Sequence, residues 1–260
     1  SGAKQECLIM GKGIAFGKKI GQTIEVPQDA RIYSLKELTD RGDAREIINS
    51  VSPVCLELAN EILREAEAEF GDIDRSILFP IADHLDFAIR RLQRGEQISN
   101  PLTEDIRILF YKEYKVAGCI APMLKEKFQI ELDEHETGYI ALHVHSAIVD
   151  EKVSQAMEIA RTVRECISLV EKETGNSIDV MSLAYNRLMN HVRYMVARAI
   201  HGEKLKMNLN DYMSVKFPEA FHASERICRE MEKRLGLPMP DIEIGYLAMH
   251  LERMLDSETE

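Results

Sequence analysis

The sequence predicts an all-α protein in which two homologous helical bundles follow one another, preceded by a short β segment. Three observations carry that expectation. The composition is rich in Leu, Ile, Met, Ala, Glu and Arg, is only 6% aromatic and contains no Trp, a balance that favours helix. From about residue 42 onward the apolar residues recur at helical spacing between glycine and proline stops. Finally, the chain repeats itself at one fixed offset. With 260 residues it exceeds one small core and suits two ordinary domains.

Residues 5–35 differ from the rest. Short apolar runs (Leu8, Ile9, Met10; Ile14, Ala15, Phe16) alternate with Gly11, Gly13, Gly17 and Gly21, a pattern of short strands and turns. The segment is too short to be a stable β domain alone. Helices are then expected near 44–70, 75–94, 102–129 and 134–150. A second set follows near 153–174, 178–201, 210–236 and 241–255. Gly71, Gly95 and Asn100-Pro101 punctuate the first half, and Gly175, Gly202, Pro238 and Pro240 the second. Lengths and loops of this kind fit helix bundles.

The repeat is ungapped. At an offset of 107, Asp83-His84-Leu85-Asp86-Phe87 falls on Asn190-His191-Val192-Arg193-Tyr194, and Arg91 falls on Arg198. Gly138-Tyr139-Ile140-Ala141-Leu142-His143 falls on Gly245-Tyr246-Leu247-Ala248-Met249-His250. His84 and His143 stand 59 residues apart, as do His191 and His250. These matches define two copies of one helical domain, at 42–150 and 151–256, behind a β segment at 3–35.

Charge narrows the partners. The net charge is −11, but residues 1–31 hold five basic and three acidic residues, so the remainder carries −13. An acidic body does not attract a phosphate backbone, which leaves the first 31 residues as the place for nucleic acid. The five Cys are odd in number and form no CxxC pair, as expected of buried free thiols in a reducing compartment. No apolar run approaches the roughly 18 residues of a membrane span, and no signal peptide is visible. A cytoplasmic protein without membrane insertion is expected.

The matched histidines are the chemistry-bearing residues. His191 lies beside an apolar stripe at 184, 188, 192, 195 and 199, and His84 beside 77, 81, 85 and 88. A single histidine at such a margin is ordinarily a satisfied core residue. Four at matched positions in two copies argue for more, because a duplicated core position is more simply Leu or Met. Metal binding lacks its signatures: no HxxxH or HExxH occurs, and His143 and His145 point apart on a helix. Nucleophilic catalysis lacks a GxSxG. Both phosphate-loop patterns fail in the Gly11–Gly17 stretch, where Phe16, Lys12 and Lys19 occupy required positions. No enzyme, cofactor or metal is therefore expected.

A third option is phosphoryl acceptance. Imidazole is a good nucleophile near neutral pH, and its phosphorylated form carries roughly −2 charge. Arg91 and Arg198 each follow a histidine by seven residues, two turns and about 10.5 Å along the axis. They are candidate phosphate partners. Asp83 is a candidate partner for His84, although Asn190 stands in its place in the second copy. His135, His145, His201 and His222 fall outside the repeat and are expected to be bystanders.

At these residues the sequence resembles the tandem PTS regulation domains of the BglG/LicT/SacY-type transcriptional antiterminators. Met10-Gly11-Lys12-Gly13-Ile14-Ala15-Phe16 resembles the second half of their RNA-binding (co-antiterminator) domain. Ala141-Leu142-His143-Val144-His145-Ser146-Ala147 leans toward the glucose-type branch. The resemblance implies a transcriptional antiterminator that binds an mRNA hairpin as a homodimer and is switched by reversible histidine phosphorylation. It implies His84, His143, His191 and His250 as acceptors, with the phosphocarrier HPr and a sugar-specific permease EIIB component as partners. It places Gly11, Lys12, Gly13 and Phe16 on the RNA-facing surface, where Lys meets phosphate, Gly permits close approach and Phe stacks on a base. The family's opening Lys-Val-Leu-Asn-Asn-Asn-like segment is absent, so RNA binding is expected of an intact parent. The alternatives are a DNA-binding activator with the same regulation domains, and a helical metal-dependent phosphohydrolase using Asp83-His84.

Overall fold

The computed structural model describes residues 6–11, 13–28, 30–35, 38–39, 42–149, 151–175, 178, 182–203, 205–236 and 239–256. Its backbone forms two compact units. One comprises residues 1–99 and 112–151, the other residues 100–111 and 152–260.

The first unit opens with β1 (Cys7–Met10) and β2 (Arg31–Ser34), which pair antiparallel with Leu8 opposite Tyr33. A two-residue pairing of β3 (Leu38–Thr39) with β4 (Gly42–Asp43) follows. The second apolar run, Ile14–Phe16, is a turn rather than a strand, with the Phe16 amide donating to the Gly13 carbonyl. Gly13 and Gly17 take positive φ there, which costs glycine little. Tyr33 anchors the hairpin: its ring is buried edge-on against Phe79, and its hydroxyl donates to Asn60 Oδ1 at 2.7 Å.

The expected helix over 44–70 is two helices, α1 (Ala44–Ser50) and α2 (Pro53–Phe70). Pro53 causes the break, since it lacks the N–H a continuous helix needs and fits the first turn of a new one. A 3-10 turn at Arg75–Ile77 leads into α3 (Leu78–Gln93), and α2 packs along α3. The expected span 102–129 likewise divides, into α4 (Thr103–Leu109), α5 (Tyr111–Ala117), a 3-10 turn at Gly118–Ile120 and α6 (Ala121–Phe128). Then α7 (Glu134–Ile148) runs through the core with Ile140, Ala141, Leu142 and Val144 fully buried. It is apolar on nearly every side, as a central helix must be.

The second unit contains α8 (Val153–Thr174), α9 (Leu183–His201), α10 (Asn210–Lys216), α11 (Pro218–Leu235) and α12 (Ile242–Asp256), together with α4. The break between α10 and α11 falls at Phe217-Pro218, because a residue before proline is pushed out of helical φ/ψ. The repeat puts the same break at Phe110-Tyr111, where there is no proline. There the Leu109 carbonyl accepts instead from Arg193 Nη1 at 2.9 Å. The helix expected from residue 178 begins at Leu183: Ile178 lies outside it and Ser182 is its cap, accepting from the Tyr185 amide at 3.0 Å, while 179–181 lie outside the described residues.

All five cysteines are free; Cys55, Cys166 and Cys228 are buried, Cys119 is half-buried and Cys7 is exposed. No helix among the described residues is long and apolar enough to cross a membrane.

Candidate functional site

The helical period explains how each site assembles. On α3, His84 and Arg91 lie two turns apart on one face; on α7, Glu136, Tyr139 and His143 do the same. Where α3 meets α7 these faces oppose each other. The His84 ring centroid is 5.6 Å from that of His143 and 5.9 Å from that of Tyr139. His84 Nε2 lies 3.1 Å from Glu136 Oε2, and Arg91 donates to the other oxygen, Oε1. Glu136 is fully buried. Burial alone would raise its pKa, but the bonds from His84 and Arg91 outweigh that and hold it below the ordinary carboxylate value. Glu136 is therefore the ionised acceptor, and His84 Nε2 carries the proton it accepts.

The second copy rebuilds the arrangement with different bonding. His191 and Arg198 come from α9; Glu243, Tyr246 and His250 come from α12. The His191 and His250 rings stack at 4.5 Å between centroids and 26° between planes. Tyr246 lies parallel to His191 at 6.4 Å. Here the buried glutamate serves only the arginine: Arg198 Nε and Nη2 donate to Glu243 Oε1 and Oε2 at 2.7 and 2.8 Å. His191 Nε2 is buried and meets no hydrogen-bond partner among the described residues. Burial, then the neighbouring His250 and Arg198, push the His191 pKa down to about 3. Burial, then Arg253 and Arg187, lower that of His250. Both rings of this pair are neutral bases at physiological pH.

The structure thus brings His84 to His143 and His191 to His250, and gives Arg91 and Arg198 to buried glutamates. Asp83 is half-buried on α3, and the carboxylate at the His84 ring is Glu136. Phe16 is 91% exposed and Gly11 and Gly13 are exposed; Lys12 lies outside the described residues. Among the expected bystanders, His222 is an exposed partner of Glu225, whereas His145 is buried with Nδ1 2.9 Å from Glu113 Oε1. The side chain of His201 lies outside the description, and His135 is half-buried at the start of α7. Among the described residues, no three His, Cys, Asp or Glu side chains converge as a metal site.

Glu136 and Glu243 are the site residues that sequence reasoning missed. Their signal was present: they stand at the same repeat offset, each seven residues before a paired histidine. An acid repeated on the buried face of a helix calls for a buried cation to match it.

The PRD domain family profile matches residues 45–147 and again residues 164–254. The CAT RNA binding domain profile matches residues 1–41. The chain is 26% identical over 255 residues to the transcription antiterminator LicT of Bacillus subtilis (strain 168), covering 96% of this chain and 92% of that one. It is also 26% identical over 259 residues to protein GlcT of Staphylococcus haemolyticus (strain JCSC1435), covering 95% and 88%. A crystal structure titled GlcT CAT-PRDI matches at 28% identity with a TM-score of 0.46, covering 55% of this chain and 86% of the other. The chain belongs to the family of transcriptional antiterminators in which a CAT RNA-binding domain precedes two PRD domains.

Proposed function

We propose that this protein is a transcriptional antiterminator whose state is set by reversible phosphorylation of His84, His143, His191 and His250. The working division is an RNA-binding β segment at 3–35, a first regulation domain at 42–150 and a second at 151–256. The observation that carries the reading is the duplicated pairing of histidines, each pair set beside a buried Glu–Arg ion pair. A lone histidine could be a packing accident; a twice-built pair with its own charge support is a site.

The chemistry follows from the geometry. In the first copy the nucleophile is His84 Nδ1, because Nε2 is held by Glu136. Transfer places roughly −2 charge next to a buried carboxylate. The repulsion acts on the His84–Glu136 bond and so on the packing of α3 against α7. In the second copy the rings are neutral and unprotonated at cellular pH, so nucleophilic nitrogen is always present. The phosphoryl donors are HPr and a sugar-specific EIIB component, GlcT among the relatives fits a glucose-type branch, and the active form is a homodimer that suits a hairpin with two equal arms. Exposed Phe16, with Gly11, Lys12 and Gly13, contacts that RNA through stacking and close backbone approach. The family match leaves the metal-dependent phosphohydrolase and the DNA-binding activator unfavoured.

The test is intact-mass analysis after incubation with phosphoenolpyruvate, enzyme I, HPr and candidate permease components. Acid-labile mass gains that disappear in His84→Ala, His143→Ala, His191→Ala or His250→Ala are expected. No gain with any donor would overturn the reading.

A further inference from the structure

The second histidine pair borders a cavity of about 130 Å³ lined by Leu183, Ala184, Arg187, His250, Arg253 and Met254. Its two arginines are placed by helix geometry. Arg187 lies four residues before His191 on α9, and Arg253 three residues after His250 on α12, each one turn from a paired histidine. Both side chains are exposed, and neither makes an ion pair or hydrogen bond to a carboxylate among the described residues. In a chain with an excess of acids that is unusual, because Arg64, Arg75, Arg90, Arg107, Arg226 and Arg234 each have a glutamate or aspartate. Both charges act on the His250 ring, adding to burial in disfavouring its proton.

The first copy has no counterpart. At the repeat offset, Pro80 and Ser146 stand where Arg187 and Arg253 stand. The arginines common to both copies, Arg91 and Arg198, are occupied by Glu136 and Glu243. The second pair therefore combines a small cavity, a nucleophilic ring at its wall and two cations with no carboxylate partner among the described residues. Such a place disfavours a proton and favours a compact dianion.

We propose that Arg187 and Arg253 are the receiving site for a phosphoryl group carried covalently by His250. The inference rests on the phosphorylation reading above and adds two positioning residues and an asymmetry between the copies. In the step, the unprotonated nitrogen of His250 attacks the phosphorus of a phosphohistidine on the donor protein. The new N–P bond forms as the donor's N–P bond breaks, and that electron pair returns to the donor imidazole. Each ring keeps the N–H on its other nitrogen, so no further proton acceptor is needed. The three phosphoryl oxygens then lie between two guanidinium groups, which hold them by charge-assisted hydrogen bonds.

The experiment uses the full chain, labelled by the phosphotransferase donors and, separately, by phosphoramidate. Site-resolved mass spectrometry then reads occupancy and decay at each histidine. The Arg187→Gln/Arg253→Gln variant is expected to lose about tenfold in His250 occupancy and lifetime, in line with two lost charge-assisted bonds. Label on His84 should be unchanged. The Arg187→Lys/Arg253→Lys variant should recover part of the loss, since charge is kept and the bidentate fork is not. Unchanged His250 occupancy and lifetime in the Gln variant would overturn this proposal while leaving the phosphorylation reading intact. No label on any of the four histidines of the wild type would end both. Saturation of the cavity by inorganic phosphate, seen as a His250 ring shift, without label at His250 would show a free-anion site and overturn the covalent assignment.

Discussion

The two histidine pairs occupy the same positions of one repeat, yet the buried glutamate divides its bonds differently in each. In the first copy Glu136 gives one oxygen to His84 and the other to Arg91. In the second, Glu243 gives both to Arg198, and the histidines stack on one another as neutral rings. A single redistributed carboxylate thus separates a ring with a fixed proton and orientation from a ring whose proton is disfavoured. The backbone fold does not decide this; which donor fills the second lone pair of the glutamate does.

The largest test of that contrast removes the glutamates. Breaking one partner of a buried ion pair costs about 3–5 kcal/mol, because the remaining charge is stranded. Glu136→Ala and Glu243→Ala are both expected in that range, measured by urea unfolding of the full chain. The comparison sharpens with a second readout. Glu136→Ala should also release the His84 ring, seen as loss of its fixed tautomer in nitrogen NMR shifts, whereas Glu243→Ala should leave the His191 tautomer unchanged. Equal ring responses in both copies would mean that the difference in bonding is not what separates them.

The next effect is on pH. The folded pKa of His191, about 3, lies below the ordinary 6.5. The unfolded chain therefore binds a proton first as pH falls, and stability is lost from pH 6.5 downward at about 1.4 kcal/mol per unit. Glu136 is depressed from 4.5, so its contribution is present above that value and is lost as pH falls through the lower folded pKa. Between pH 6.5 and 4.5 the second unit should therefore soften while the Glu136 site holds. Replacing His191 by Phe should flatten the decline by one proton. The check is denaturant unfolding at pH 7.5, 6.5, 5.5 and 4.5, followed by probes in each unit; His250, also lowered, keeps part of the slope, and a slope unchanged in His191→Phe would sink the assignment.

Much of this was legible in the sequence. The ungapped offset of 107 placed all four histidines, and the pattern from residue 42 onward gave helices at nearly the right ends, α8 at its full extent. The failures have physical causes. The long spans 44–70, 102–129 and 210–236 were read through because helical periodicity continues on both sides of a break; Pro53 and Pro218 marked two of the breaks and carried more weight than periodicity. The break at Phe110 has no local mark; the Leu109 carbonyl beside it accepts from Arg193, 84 residues away. Glu136 and Glu243 are harder to see in the sequence, because an acid near a helix start fits the helix dipole without being buried, and only the third dimension shows the burial. His145 was set aside for lacking a repeat mate, although Glu113 meets it in the folded chain.

The smallest expected effect concerns how each copy holds the helix that carries its glutamate. The start of α7 is capped locally: Asp133 Oδ1 accepts from the Glu136 amide at 2.8 Å. The start of α12 is held from another helix. Asn210 of α10 accepts from the Gly245 amide at 3.0 Å and donates to the Asp241 carbonyl at 2.9 Å. Gly245 is what allows that approach, since a β-carbon there would meet the Asn210 amide nitrogen at 2.9 Å. Asp133→Ala should cost about 1 kcal/mol, as lost caps do. Asn210→Ala removes two hydrogen bonds and should cost about 1–2 kcal/mol, while loosening α10 from α12. Hydrogen exchange separates the two cases. Loss of the local cap should speed exchange only in the first turn of α7. Loss of Asn210 should speed it in both α10 and the first turns of α12, because one side chain joins them. Exchange confined to α12 in Asn210→Ala would mean that α10 is held by its apolar contacts alone, and the two copies would then secure their glutamates in the same way.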